Sequence, residues 1–225
     1  GRKRAYATGL YNIFKYNGSL DRNLDWLNIV AKRHKYWVGI VRSLIGDFYA
    51  EDIVQEAYIA LTKYSDPDKI IKDGELKTIE KAGISDGNNA NRSSSISWLD
   101  DNELQKTLSY LIKSANDESN WNFSLKEFES LQFTIYNKGD HYNWHTDNHV
   151  KPYRNNTIRK LSFTICLNDD YEGGDFSICD PHPEPDLSAV TTFKLKKGDM
   201  IIFPSHVWHK VDNITKGIRK SLVGW

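Results

Sequence analysis

The stretch KKGDMIIFPSHVWHKVDNITKGIRKSLVGW, residues 196–225, predicts the fold of the C-terminal part of the chain. It contains three short apolar or alternating runs, Met200 to Phe203, Trp208 to Asn213 and Ile218 to Trp225, with turn residues between them. Similar runs recur upstream as far as Leu131, which gives about eight strands in all. Short strands at this spacing are typical of a β-sandwich or barrel, and the natural candidate is a double-stranded β-helix, or jelly roll.

Helices are expected beside these strands. Leu104, Leu108, Leu111 and Ile112 share one face of a helix predicted over 101–116, with Asp100 or Asp101 as its N-cap. A shorter helix is predicted over 69–79, followed by a Gly-, Asn- and Ser-rich loop over 83–95. The remaining predicted strands cover 131–136, 142–145, 159–167, 175–179 and 191–195.

The N-terminal part has a different pattern. Apolar residues recur at helical spacing from Leu20 to Ala31 and from Trp37 to Leu44, and a third helix is predicted over 47–64. We therefore expect a small α-helical module, residues 1–65, followed by a mostly β domain with flanking helices, residues 66–225. The β domain is expected to begin between Asp66 and Arg92.

Composition excludes several classes of protein. The chain has 225 residues, 30 basic and 30 acidic, and no apolar run long enough for a bilayer crossing, so a membrane protein is not expected. Its two cysteines, Cys166 and Cys179, exclude a disulfide scaffold and a thiolate zinc site. No secretory signal is visible. We expect a cytoplasmic protein, of a bacterium or a phage-infected host.

A metal site is predicted in HYNWHTDNH, residues 141–149. His145 and Asp147 stand two residues apart and can reach one ion from the same face of a strand. His209, in SHVWHKVDN, is the expected third ligand, and His206 is its rival. Two imidazoles and one carboxylate leave coordination positions open, which is the arrangement of non-haem Fe(II) enzymes, whereas zinc prefers four tetrahedral ligands. An isolated His-x-Asp pair would more simply be a surface hydrogen-bonded pair.

A binding site for a carboxylate is predicted next to the metal. Arg219 follows His209 by ten residues, and Ser221 lies on the same strand face. A guanidinium binds a carboxylate with two hydrogen bonds, and a neighbouring hydroxyl adds another. A diacid that chelates iron at one end would reach Arg219 with the other, and 2-oxoglutarate has that shape. Tyr136 and Tyr142 are candidate phenolic donors to the same carboxylate.

The stretch from Arg92 to Trp225 resembles the 2-oxoglutarate- and Fe(II)-dependent dioxygenases of the prolyl 4-hydroxylase type, particularly the PKHD-type hydroxylases. Four elements match in order: RSSSISWL, YNKGDHYNWHTD, LNDDYEGGDFSI and the stretch quoted first. The resemblance implies that iron is bound by His145, Asp147 and His209. It also implies that Arg219 holds the distal carboxylate of 2-oxoglutarate, with Tyr136 and Ser221 assisting.

The resemblance further implies a reaction. Dioxygen and 2-oxoglutarate would be consumed, succinate and carbon dioxide released, and a substrate C–H bond hydroxylated, with ascorbate as the reductant that rescues idle iron. The substrate is expected to be a peptide, a protein or a small molecule, with a prolyl residue of a peptide as the family-level expectation. Residues 148–157 and 181–188 are the expected substrate loops.

The segment FYAEDIVQEAYIALTKY, residues 48–64, resembles the central helix of region 2 in bacterial sigma factors. The resemblance implies contact of residues 1–64 with RNA polymerase, although the promoter-reading helix of that region is missing here. Two alternatives therefore stand beside the dioxygenase: a cupin-like metal-binding jelly roll without oxygenase activity, and a transcription-associated binding module. Arg219 favours the dioxygenase over the first, because a cupin needs no carboxylate-binding arginine at that position.

Overall fold

The structure is a computed structural model that describes residues 12–14, 67–82, 85–86, 89–148, 152, 156–179 and 184–225. The predicted helical module, residues 1–65, lies outside the described residues apart from Asn12–Phe14. Much of the two predicted substrate loops also lies outside them.

The described residues form two helices and fifteen strands. The helices are α1 (Pro67–Glu75) and α2 (Asn102–Glu118). The strands are β1 (Asn12–Phe14), β2 (Glu80–Ala82), β3 (Ser85–Asp86), β4 (Asn89–Ala90), β5 (Arg92–Leu99), β6 (Leu131–Tyr136), β7 (His141–His145), β8 (Leu161–Cys166), β9 (Glu172–Gly173), β10 (Phe176–Cys179), β11 (Thr191–Phe193), β12 (Met200–Pro204), β13 (Trp208–Val211), β14 (Ile214–Lys216) and β15 (Arg219–Gly224).

Most strands belong to one antiparallel sheet, which β5 divides into two halves. Its order is β1-β12-β8-β15-β6-β5-β7-β13-β10-β11, and β2 pairs with the free side of β5. The first part of β5 pairs with β7, and the second part pairs with β6, so β5 joins the two halves of the sheet. The other pairs are β9 with β14 and β3 with β4. The expected mostly β, jelly-roll fold with flanking helices is confirmed.

Alternation along the strands separates two buried layers. In β6, Leu131 and Phe133 pack toward the helices, in a core that also contains Leu104 and Leu108 of α2. The alternate residue Tyr136 belongs to a second core, which lies between the two halves of the sheet. Because neighbouring side chains of a strand point to opposite faces, one set of strands supplies both the supporting core and the interior.

An N-cap residue fixes the start of α2. Asp101 caps α2, because its carboxylate accepts hydrogen bonds from the amides of Glu103 and Leu104 at 3.1 and 3.0 Å. The expected N-cap is therefore confirmed. In the described part of the chain, no helix has the length and apolar character that a bilayer crossing requires.

Several observed strands are absent from the sequence prediction, and the longest of them is β5. The loop predicted over 83–95 from its glycines, asparagines and serines is wrong for residues 92–95, which begin β5. The Ser94 and Ser97 side chains are buried, and the Ser97 hydroxyl donates to the carbonyl of Gly74 in α1 at 2.8 Å. The hydroxyls thus find buried partners, which lets a serine-rich segment serve as an interior strand.

Gly74 provides a test of this packing, because α1 lies directly on the ring of Phe133. A methyl group at Gly74 would lie 2.5 Å from Cδ1 of that ring. Helix propensity favours Gly74→Ala by about 1 kcal/mol, whereas overpacking costs about 1–3 kcal/mol. We expect a net decrease in the free energy of unfolding, measured by denaturant titration. Lys72→Ala, on the exposed side of α1, is the matched control and should change it by less than about 0.5 kcal/mol.

Candidate active site

Three potential metal ligands converge between the two halves of the sheet. His145 ends β7, and His209 lies opposite it on β13. Asp147 follows two residues after His145, beyond the end of β7. One ligand atom from each of the three side chains lies within 4.8 Å of the others. The sequence predicts that His145 and Asp147 share one face of a strand. In the structure, Asp147 is instead positioned by the segment that follows β7.

Backbone hydrogen bonds hold the ligands in place. The amide of Asp147 donates to the Ser205 carbonyl at 2.9 Å, which ties it to the turn before β13. Nδ1 of His145 lies 2.7 Å from the Asn143 carbonyl, and Nδ1 of His209 lies 3.0 Å from that of Val207. If each Nδ1 carries the proton, both Nε2 atoms have lone pairs available for a metal ion.

The Nε2 atoms point at one carboxylate. Nε2 of His209 is 3.3 Å from Oδ2 of Asp147, and Nε2 of His145 is 3.8 Å from Oδ1. The rings of Phe176 and Phe203 lie against His209, with centroids 5.9 and 4.7 Å away. Two imidazoles and a carboxylate in a largely apolar interior suit a divalent transition metal with open coordination positions.

Burial and neighbouring groups set the protonation of His145 and Asp147. It lowers the pKa of His145 to about 3, and His209 acts in the same direction while Asp147 opposes it. Burial alone would raise the pKa of Asp147, but the charge and hydrogen bond of His209, together with His145, hold it well below its usual range. A neutral imidazole and an ionised carboxylate are the forms that bind metal ions.

Arg219 lies in the same interior, on β15. Only 1% of this residue is exposed, and it pairs in register with Tyr136 of β6. Its Nη1 donates to the Ser221 hydroxyl at 3.1 Å, and its Cζ lies 5.5 Å from the Tyr136 ring centroid. Nε and Nη2 are buried and have no hydrogen-bond partner in the described part of the structure. Two adjacent unpartnered N–H donors on a buried cation match a carboxylate.

Two other candidates from the sequence, Tyr142 and His206, lie outside the group of three potential metal ligands. Tyr142 stacks on the His145 ring, with centroids 3.4 Å apart and an interplanar angle of 11°, and Arg92 lies over its other face at 4.7 Å. His206 is exposed and lies outside the ligand group. Tyr171 and Cys166, which neighbour Arg219, are not among the sequence candidates, because only the folded sheet brings the segment 166–171 against β15.

The ligand group makes a direct prediction for metal binding. Asp147→Ala should weaken Fe(II) binding by more than the 10- to 100-fold loss that is typical of outer-shell partners, since a ligand itself is removed. His206→Ala is the matched control, because this histidine is three residues from His209 and should leave Fe(II) affinity unchanged. Anaerobic equilibrium titration measures both, and an equal effect of the two variants would contradict the ligand assignment.

The buried His145 also predicts a pH dependence of the metal-free protein. Its pKa in the folded protein, about 3, lies below the ordinary value of 6.5, so the unfolded chain takes up the proton first. The contribution of His145 to stability is therefore intact above about pH 6.5 and is lost as the pH falls toward 3. In the presence of a chelator, His145→Gln should have a shallower dependence of unfolding free energy on pH. Identical slopes for variant and wild type would refute this expectation.

Comparison with known proteins bears on the same residues. Residues 131–225 match the model of the 2OG-Fe(II) oxygenase superfamily. A PKHD-type hydroxylase of Idiomarina loihiensis is 31% identical over 102 residues, 44% of this chain and 43% of that protein. One of Synechococcus is 42% identical over 86 residues, 37% of this chain and 35% of that protein. The chain thus spans less than half the length of these relatives.

Solved structures show the same fold. A Pseudomonas putida prolyl-4-hydroxylase covers 75% of this chain, and 85% of its own, with a TM-score of 0.51 and 18% identity. The viral collagen prolyl hydroxylase of Paramecium Bursaria Chlorella virus-1 covers 72% of this chain, and 88% of its own, with a TM-score of 0.53 and 18% identity. The resemblance found in the sequence is confirmed: residues 131–225, which contain His145, Asp147, His209 and Arg219, are similar to the 2OG-Fe(II) oxygenase superfamily.

Proposed function

We propose that this protein is an Fe(II)- and 2-oxoglutarate-dependent dioxygenase that hydroxylates a C–H bond of its substrate. In the reaction, 2-oxoglutarate, dioxygen and the substrate give succinate, carbon dioxide and the hydroxylated product. The observation that carries the proposal is the buried Arg219 guanidinium, whose Nε and Nη2 have no hydrogen-bond partner among the described residues. It lies in the same interior as the His145, Asp147 and His209 group.

The proposed roles of the side chains follow from their contacts. His145, Asp147 and His209 would hold the iron, which supplies open coordination positions and the electrons for dioxygen chemistry. Arg219 would bind the distal carboxylate of 2-oxoglutarate and so orient its 2-oxo acid end toward the metal ligands. Ser221 holds Nη1 of the guanidinium.

Tyr136 would stabilise the bound cosubstrate from the neighbouring strand. It is buried, and its ring lies beside the guanidinium in the interior core. The apolar side chains of this core, among them Phe176, Ile178 and Phe203, would exclude water from the reacting atoms. A cupin-like metal protein without oxygenase activity is disfavoured by the same geometry, because it gives no reason to bury an arginine with two unpartnered donors.

The substrate class proposed is a prolyl residue of a peptide. It is supported by the hydroxylase names of the bacterial relatives and by the shared fold with prolyl hydroxylases. Ascorbate is proposed as the reductant and the cytoplasm as the location. The two buried, unbridged cysteines, Cys166 and Cys179, are consistent with a reducing compartment. A role of residues 1–64 in binding RNA polymerase stays a prediction from the sequence, and capture of polymerase by the full chain would test it.

Anaerobic titration of the Fe(II)-loaded protein with 2-oxoglutarate tests the function. We expect the weak visible charge-transfer band of a 2-oxo acid chelated to ferrous iron, and its loss in His209→Ala. With oxygen admitted, slow formation of succinate should follow. A folded, iron-loaded sample that shows neither the band nor succinate would refute the proposal.

Arg219→Lys separates the cosubstrate role from the metal role. Lysine keeps the charge but loses the paired donors, so the dissociation constant of 2-oxoglutarate should rise about tenfold or more, with Fe(II) affinity unchanged. Lys220→Gln is the matched control. Lys220 is the next residue on β15, but its ammonium pairs with Glu75 at 2.7 Å on the opposite side of the sheet. A loss of equal size in the control would contradict the assigned role.

A further inference from the structure

A tyrosine outside the predicted site lies against the Arg219 guanidinium. The Tyr171 hydroxyl is 3.4 Å from Sγ of Cys166 and neighbours the guanidinium. Cys166 is fully buried, and its Sγ lies 3.0 Å from the Asn168 carbonyl oxygen, to which the thiol donates. The thiol hydrogen is used there, so the sulfur accepts and the hydroxyl of Tyr171 is the donor of that pair.

Two glycines let Tyr171 approach this closely. A methyl group at Gly174, where φ is +64°, would lie 3.0 Å from Cδ of Arg219 and 3.4 Å from Cε2 of Tyr171. A methyl group at Gly217, where φ is +75°, would lie 3.1 Å from Cα of Tyr171. Both positions have a backbone conformation that favours glycine, and both would be crowded by any side chain. The tyrosine is therefore packed firmly between them.

The turn that carries Tyr171 is fastened to β15 on both sides of Arg219. Nδ2 of Asn168 donates to the carbonyl of Ile218 at 2.7 Å, and Oδ1 of Asn168 accepts from the amide of Lys220 at 2.7 Å. The amide of Leu167 also donates to the Lys220 carbonyl at 3.0 Å. Movement of the turn and movement of the arginine are thus coupled through direct hydrogen bonds.

Some neighbouring groups hold the guanidinium in place, whereas two of its own nitrogens remain available as donors. Ser221 accepts a hydrogen bond from Nη1, and Tyr171 and Cys166 pack beside the guanidinium. Nε and Nη2 have no hydrogen-bond partner among the described residues. Burial raises the pKa of Tyr171, and burial raises the pKa of the Cys166 thiol, so neither supplies an anion at neutral pH. None of these described neighbours of the guanidinium is an anion, so a carboxylate of the ligand would complete the site.

We propose that Tyr171 is a positioning residue of the carboxylate site: it fixes the Arg219 guanidinium so that Nε and Nη2 receive the distal carboxylate, and so sets the preference for a 2-oxo diacid over a 2-oxo monoacid. This inference rests on the proposed function. A fixed guanidinium contributes its two bonds without first losing rotational freedom, whereas a mobile one binds a diacid more weakly.

The test compares two ligands that differ in the distal carboxylate. The Fe(II)-loaded protein is titrated anaerobically with 2-oxoglutarate and, separately, with pyruvate, which has the same 2-oxo acid end only. Tyr171→Phe should weaken 2-oxoglutarate binding about tenfold and leave pyruvate binding unchanged. Tyr110→Phe, which removes the hydroxyl of an exposed tyrosine on α2, is the matched control and should change neither constant.

Cys166→Ala provides a second variant at the same contact. It removes the partner of the Tyr171 hydroxyl and keeps Arg219 itself, and it should weaken 2-oxoglutarate binding in the same direction by a smaller factor. Thermal unfolding of each variant shows that it is folded at the titration temperature.

The outcomes distinguish the two proposals. An unchanged constant for 2-oxoglutarate in both variants would overturn the role of Tyr171, and so would an equal loss for both ligands, which would indicate damage to the metal centre. A wild-type protein that binds Fe(II) yet does not prefer 2-oxoglutarate over pyruvate would instead refute the proposed function, and the role of Tyr171 with it.

Discussion

A positive charge inside a β-sheet interior is the constraint on which the rest of the structure depends. Desolvating a cation costs several kcal/mol unless an anion and hydrogen bonds compensate it. Around Arg219 the described neighbours are hydroxyls, a thiol and an aromatic ring, and two nitrogens keep unused hydrogens. The folded chain is therefore energetically incomplete at this point. An anionic ligand that fits there adds its binding free energy to the stability of the fold.

The pleat of β15 explains how such a charge can be held. Arg219 and Ser221 face the interior, while Lys220 and Leu222 point to the helix side, where Leu222 joins the core under α1 and α2. The helices thus support the strand from behind through the apolar contacts of Leu222 and the Lys220–Glu75 ion pair. The side chains of the proposed carboxylate site lie on the opposite face. A single six-residue strand in this way carries both the packing that stabilises the sheet and the arginine that is proposed to bind a carboxylate.

Prediction from sequence succeeded where the pattern was local. The run 131–136 was predicted with the observed bounds, since alternation and flanking turn residues are visible in the chain. The serine-rich start of β5 is predicted as a loop, because Asp140, which accepts from the Ser93 hydroxyl, and the strands that β5 pairs with lie far away along the chain. His145, Asp147 and His209 stood out by spacing and chemistry. Tyr171 did not, since its neighbour Arg219 approaches it only through the pairing of β8 with β15.

The position of β15 in the sheet has a consequence for biosynthesis. This strand is the last of the described strands in sequence, yet it lies between β8 and β6 in the middle of the sheet. Until it has left the ribosome, β6 and β8 have no common neighbour, and their unpaired edges are exposed. The sheet therefore closes only once β15 is available, through contacts between segments that are distant along the chain, and such contacts form slowly.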